Sequence, residues 1–396
     1  MSGDHDAGPS GDHHAGPSGD HDAGPSGDHH AGPSGDNAAA IAVANAPVSY
    51  GAFELTVGQD PDVPDGVTVL DQVAAAGYAG IDLGPVGYLG RGERLGELLA
   101  ERGLGLAGAY VELPYADHDA LERALPELDA ILDAFDAVRS YLPGPPPRPT
   151  LAEAGSQARR NRPGRSVRDP SLGFDADAWR RFAAGLARVI GRCRDRGYEP
   201  TFHPETGTHV EAPWEIERVL EVSDVGLCLE TGHMLLGGGD PVAMLRDLGD
   251  RVNHVHLKDA RLPVMAEIIA DEAPVTEIWT REAFCALGGG DLDADAVLDG
   301  LRRISFGGWL VVEQDILPRS AERFARAAAE QRHNREFLAA RGLLESTVTR
   351  GEGGHHGSVP YRSYRCREDG PHPSAGPGRL RRSKSDRHRR DVADGP

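Results

Sequence analysis

Four short apolar runs in the second half of the chain each end at residues able to bind a metal ion. They are Tyr198-Glu199-Pro200-Thr201-Phe202-His203-Pro204-Glu205, Val225-Gly226-Leu227-Cys228-Leu229-Glu230-Thr231-Gly232-His233, Val252-Asn253-His254-Val255-His256-Leu257-Lys258-Asp259 and Trp309-Leu310-Val311-Val312-Glu313. Strand interiors that stop at His or carboxylate, with helix-length segments between them, set those groups on one rim of a parallel barrel, where such barrels keep their chemistry. The pattern points to a metal-centred enzyme.

A chain of 396 residues with 39% apolar content suffices for one α/β barrel of roughly 250 to 300 residues plus tails. Its formal charge of −20, from 42 basic and 62 acidic residues, repels a phosphate backbone and argues against nucleic acid as a partner. The cysteines at 193, 228, 285 and 366 show no paired or CxxC spacing, which fits a reducing cytosol without disulfides. The start, Met1-Ser2-Gly3-Asp4, lacks a secretory pattern, and no apolar run approaches the roughly 18 residues of a membrane helix. A cytoplasmic protein without membrane contact is expected.

Residues 3 to 34 repeat the unit Gly-Asp-His-(Asp/His)-Ala-Gly-Pro-Ser, which has too few apolar groups to offset the entropy of ordering it. A disordered arm is expected over 1–40, and a second disordered tail, rich in Arg, Pro and Gly, over 346–396. Between them, 41–345 alternates strand and helix. Strands are expected at Val48 to Phe53, Ala79 to Leu83, Leu104 to Val111 and Ala137 to Leu142, followed by the four runs above. Helices are expected at about 66–76, 89–102, 117–135, 175–196, 212–222, 240–248, 293–303 and 319–340. About eight βα units result, the count that closes a (β/α)8 TIM barrel. Two segments break the rhythm, Pro143 to Pro170 and Asp259 to Gly290. Both follow strand carboxyl ends and overhang the expected site as lids or substrate-selecting loops.

Period-two alternation sends His254 and His256 to the same side of their strand. His256, nearest the strand end, is the expected ligand; His254, deeper, is a core or supporting residue and joins His233 in the substrate-side set. Glu313 ends an apolar strand, where a buried carboxylate is costly without a compensating cation. Glu230 holds the same place on its strand, and His233, three residues on, points at substrate. His203 and Glu205 share parity, so either can turn inward. Imidazole and carboxylate ligands suit manganese or cobalt first, then zinc or magnesium.

His-Pro-Glu-Thr-Gly-Thr-His-Val-Glu (203–211), Leu-Glu-Thr-Gly-His (229–233), His-Val-His-Leu-Lys-Asp (254–259) and Gly-Trp-Leu-Val-Val-Glu-Gln-Asp (308–315) resemble the xylose-isomerase-like sugar isomerase and epimerase superfamily, and within it the myo-inosose-2 dehydratases. Residues 284–293 resemble a stretch those dehydratases carry before the last strand. The resemblance spans about 47 to 340. It implies metal positions at Glu230, His256 and Glu313, a substrate contact at His233, and a fourth ligand from the His203/Glu205 pair. The family usually has Asp where Glu230 stands, so either the metal shifts or the longer carboxylate folds back. The dehydratases usually have His where this chain has Glu205, a carboxylate that epimerases use there.

The implied chemistry is removal of a proton beside a metal-held carbonyl to give an enediolate. Glu313 and Glu205 are the candidate base and acid, and Lys258 is a candidate donor to a leaving hydroxyl. Loss of that hydroxyl is dehydration of a keto-polyol such as scyllo-inosose. Return of the proton is isomerisation or epimerisation of a keto sugar or hydroxypyruvate. A non-catalytic sugar-binding barrel is the third reading. The expected partner is a small-molecule keto-polyol or sugar, with a homo-oligomer open.

Overall fold

In the computed structural model, which describes residues 40–141 and 143–343, nine parallel strand segments form one sheet. In chain order they are Ile41–Asn45, Gly80–Ile81, Gly105–Leu106, Gly108–Leu113, Arg148–Glu153, Thr201–Phe202, Gly226–Glu230, Val252–Leu257 and Gly308–Val312. The first pairs with the last, Ile41 opposite Gly308 and Asn45 opposite Val312. Gly105–Leu106 and Gly108–Leu113 are one run interrupted at Ala107. The Ala107 amide donates to the Ile81 carbonyl at 2.9 Å, and its own carbonyl accepts from the Arg148 amide at 3.1 Å. The ladder therefore continues across the break, and the nine segments count as the eight strands of a (β/α)8 barrel. The disorder expected of the tails falls outside the described residues.

Helices form where the 3.6-residue pattern places them: Gly66–Ala75, Gly92–Arg102, His118–Val138, Ala176–Asp195, Pro213–Val222, Pro241–Leu248, Ala294–Arg303 and Ala321–Ala339. Six of these starts are fixed by a side-chain oxygen accepting from the first-turn amides, at Asp65, Asp117, Asp175, Asp240, Asp293 and Ser320. Their apolar faces and the outward residues of the strands make one continuous core. Among the described residues no helix is long and apolar enough to cross a membrane. Cys193, Cys228 and Cys285 are buried and free.

Two expected strands are misplaced. Val48 to Phe53 is not a strand: Pro47 starts a short 3-10 helix, Pro47–Tyr50, which Gly51 ends at φ +83. The first strand is the alanine-rich Ile41–Asn45, whose inward residues are small because Trp309 fills that end of the barrel. Ala42 and Ala44 pack in one cluster with Trp309 and Val311. A Cβ on Gly80 or Gly105 would lie 2.6 and 2.7 Å from the indole, and the indole N–H donates to the Pro145 carbonyl at 2.9 Å. Likewise the expected strand Ala137 to Leu142 is not the fourth strand over its described residues, 137–141. The preceding helix runs on to Val138, and the strand is Arg148–Glu153, inside the segment read as an insertion.

What remains of the two insertions meets over the carboxyl ends of the strands. The Val275 amide donates to the Arg160 carbonyl at 2.7 Å and Arg165 Nη2 to the Ile269 carbonyl at 2.6 Å. Arg159 is buried against Glu215 (2.8 Å) and Ser166 (2.9 Å), which fastens the first insertion to the first turn of the helix Pro213–Val222. The second insertion is anchored by Asp259, whose carboxylate accepts from the amides of Ala260, Gly288, Gly290 and Leu292 at 2.8 to 3.0 Å. A side chain at Gly290 would strike that carboxylate, at 2.3 Å from Cβ.

Candidate metal centre

Alternation along the last three strands decides which groups enter the barrel. Val255, Leu257, Leu310 and Val312 belong to the core packed against the helices, so His254, His256, Lys258, Trp309, Val311 and Glu313 face inward. Register then sets them level: Glu230 lies opposite His256, and His256 opposite Val311, one step below Glu313. With His203, at the end of Thr201–Phe202, these strands bring His203, Glu230, His256 and Glu313 together. All four are buried, and each offers a ligand atom within 4.8 Å of the other three. Glu230 Oε2 stands 3.3 Å from His203 Nε2 and 3.4 Å from His256 Nδ1, and Glu313 Oε2 is 3.2 Å from His256 Nδ1.

Glu230 does two things at once. Its Oε1 accepts from the amides of Gly232 (2.9 Å) and His233 (3.3 Å), capping the helix Thr231–Leu236, while Oε2 enters the four-residue group. The extra methylene relative to Asp is thus absorbed by folding the carboxylate back onto a helix N-terminus, where backbone N–H groups favour negative charge.

Glu205 lies outside the four-residue group and beside it. The Thr206 amide donates to His233 Nδ1 at 3.2 Å, so Nδ1 is an acceptor and the ring N–H sits on Nε2. That nitrogen faces Glu205 Oε1 at 3.3 Å and Asp315 Oδ2 at 3.7 Å. Lys258 Nζ completes the circuit, 2.8 Å from Asp315 and 3.0 Å from Glu313.

The donor set fits a divalent cation. Two imidazoles and two carboxylates are the ligands of borderline-hard ions, and the buried atoms Glu230 Oε2, His203 Nδ1 and both nitrogens of His256 have no hydrogen-bond partner, a costly state for polar groups removed from water. Burial pulls the His203 imidazole down to about 4, which leaves it neutral at pH 7 as a ligand must be. Against burial, Lys258, His203 and His256 hold Glu230 well below the usual carboxylate range, and His256 and Lys258 do the same for Glu313. Burial pushes Glu205 well above its ordinary range, with Lys258 opposing.

These groups open onto a cavity of about 700 Å³ lined by His203, Glu205, His233, His256, Lys258 and Glu313 among others. His254, carried in the substrate-side set, does not reach it: the side chain is fully buried beneath His256, ring centroids 5.1 Å apart. Sequence reasoning missed Asp82, Tyr110, Glu112, Arg160 and Asp315, all in the cavity wall. Signals existed for two of them. Asp82 ends the apolar run Ala79 to Ile81 as Glu313 ends its own, and Asp315 shares Glu313's parity. Tyr110 presents its hydroxyl to Glu112 at 3.0 Å and its ring to His203 at a centroid distance of 5.3 Å.

Comparison with known proteins agrees with this architecture. The chain is 26% identical over 272 residues to the inosose dehydratase of Lacticaseibacillus casei, covering 67% of this chain and 87% of that one. It is 29% identical over 300 residues to a rhizopine catabolism protein of Rhizobium meliloti, covering 72% and 88%. Among solved structures, the IolI protein with a bound zinc atom superimposes with a TM-score of 0.53 at 14% identity, covering 76% and 98%, a likeness of fold. Residues 70–340 match the family model of the xylose isomerase-like TIM barrel, and the chain belongs to that family.

Proposed function

We propose that this chain is a metal-dependent lyase that dehydrates a cyclic keto-polyol, an inosose, through an enediolate. The observation that carries the reading is the buried group of His203, Glu230, His256 and Glu313 at the base of a cavity that also receives Lys258, in a chain similar to inosose dehydratases over most of its barrel. Manganese or cobalt suits the donor set best, with zinc or magnesium next. When bound, such an ion acts as a Lewis acid toward a carbonyl oxygen.

The chain's own residues divide the remaining work. Glu205 lines the cavity outside the four-residue group, so it is the carboxylate left to take the proton from the carbon beside the carbonyl, whereas Glu313 is committed to the group. His233 Nε2–H fixes Glu205 in place. The electron pair of the broken C–H bond passes into the carbon framework and expels the β-oxygen, which takes a proton from Lys258 and departs as water. Asp315 and Glu313 keep Lys258 charged and aimed at the cavity.

A second reading, isomerase or epimerase of a keto sugar, is favoured by the same Glu205 carboxylate, which can return a proton as well as take one. One experiment separates them: full-length protein loaded with Mn or Co, incubated with scyllo-inosose in D2O, stripped of metal and read by proton NMR. Metal-dependent loss of water is the expected result. Deuterium exchange without dehydration moves the reading to the second, and neither change overturns both in favour of a sugar-binding barrel.

A further inference from the structure

Among the described residues Asp82 is a buried carboxylate whose metal-competent neighbours are His254 and His256. It ends the strand segment Gly80–Ile81 at 4% exposure, caps no helix, and its Oδ1 has no hydrogen-bond partner. The one ion-pair partner it has among the described residues is His256, whose Nε2 lies 3.7 Å from Asp82 Oδ2. Removing a carboxylate from water for nothing is costly, so the pairing needs a reason. The His256 ring supplies it: Nδ1 points at Glu230 and Glu313, within the four-residue group, and Nε2 points away from it at Asp82. An imidazole that binds metal through one nitrogen keeps its proton on the other, and a carboxylate facing that N–H fixes tautomer and ring orientation. Gly108 leaves the space, since a Cβ there would meet Asp82 Oδ1 at 3.3 Å and the Arg148 carbonyl at 2.8 Å. His254, packed edge-on beneath His256, blocks the ring from turning downward.

We infer that Asp82 is the positioning residue for His256, holding its Nδ1 toward the metal group. This rests on the metal-centre reading above. The test is divalent-ion affinity of the full chain, measured with Mn2+ and Co2+ by chelator competition, for wild type, Asp82→Asn and Asp82→Glu. Asp82→Asn keeps the side-chain volume and is expected to weaken binding about 10- to 100-fold, with the metal-free chain still folded and its far-UV circular dichroism unchanged. Asp82→Glu should recover part of the affinity, and the visible spectrum of bound Co2+ should change in Asp82→Asn as His256 loosens. Equal affinity and an identical Co2+ spectrum in Asp82→Asn would overturn the inference alone. A wild-type chain that binds neither ion would overturn the metal centre and this inference together.

Discussion

Lys258 Nζ stands 2.8 Å from Asp315 Oδ1 with both side chains buried. The same ammonium is 3.0 Å from Glu313 and 3.7 Å from Glu230, so one cation faces three carboxylates inside the barrel mouth. Burial works against its charge, and Asp315, Glu230, Glu313 and Glu205 overcome it and hold Lys258 well above the usual range of a lysine. In the metal-free chain Lys258 is the fixed counter-charge of the site.

Replacing it should therefore destabilise the metal-free protein strongly. Lys258→Met leaves three buried carboxylates without their ammonium, a loss of about 3–5 kcal/mol for breaking a buried pair. Urea denaturation of the metal-free variant should show that loss. Adding Mn2+ should restore much of it, because the ion supplies positive charge to Glu230 and Glu313. Dehydration of scyllo-inosose should stay absent even in the refolded, metal-loaded variant.

Metal binding should release protons and strengthen as pH rises. Burial opposes charge on His256, yet the carboxylates of Glu313 and Glu230 beside it raise the imidazole well above its usual range, so the metal-free ring holds its proton more tightly than a free imidazole. A metal must displace it. A raised folded-state pKa also stabilises the metal-free fold, fully below the unfolded value near about 6.5, and that contribution fades as pH climbs through the higher folded value. Calorimetric titration with Mn2+ in buffers of different ionisation heat should show about one proton released per ion near pH 7. Chelation should abolish activity, and saturation to about 100 times Kd should add about 2.7 kcal/mol of stability.

Much of this centre was legible in the chain because strand parity and strand ends are local properties. His256 and Glu313 follow from alternation within five or six residues, and the eight helices from their apolar period and following glycines. The first strand was not legible, because Ala42 and Ala44 are small for a reason 265 or more residues away, the Trp309 indole. The fourth strand was hidden because Pro-rich sequence around Arg148–Glu153 reads as loop while Ala137–Leu142 reads as strand. Whether His203 or Glu205 joins the four-residue group could not be read either, since they share parity and only the three-dimensional path after Phe202 separates them. Asp82 faces His256 across the barrel from a distant part of the chain, a juxtaposition no local pattern reveals.

The Trp309 indole should carry a large share of barrel stability. It is 2% exposed and fitted against Gly80, Gly105 and Gly144. Trp309→Ala leaves a void that those glycines cannot fill, and a loss of about 3–5 kcal/mol is expected. Gly105→Ala should also destabilise, since its new methyl would sit 2.5 Å from the Pro143 carbonyl oxygen and 2.7 Å from the indole. Chemical denaturation of both variants checks this, and a loss under 1 kcal/mol in Trp309→Ala would mean the ring is replaceable.

Arg159 should decide whether the first insertion stays closed over the cavity. Its guanidinium is 1% exposed and grips Glu215 through both Nη1 (2.8 Å) and Nη2 (3.1 Å), with Ser166 bridging to Glu211 at 3.1 Å. Glu211 and Glu215 in turn accept the amides of Gly207, Glu211 and Ala212, which shape the loop that carries Glu205. Burial pushes the Glu211 carboxyl up, and Arg159 is the charge that opposes it. Arg159→Met would strand two buried carboxylates at about 3–5 kcal/mol, and the chain can relieve that by letting 154–173 swing out to water. Local opening rather than global unfolding is the expected response, since the barrel strands do not depend on this contact. Limited trypsin digestion should then cut the variant faster than wild type between Arg160 and Arg168, with the far-UV circular dichroism unchanged. KM for scyllo-inosose should rise because Arg160 and Ala154 leave the cavity wall, and kcat should fall with it because the loop that carries Glu205 loses part of its shape, while Lys258 and the four-residue group keep their places.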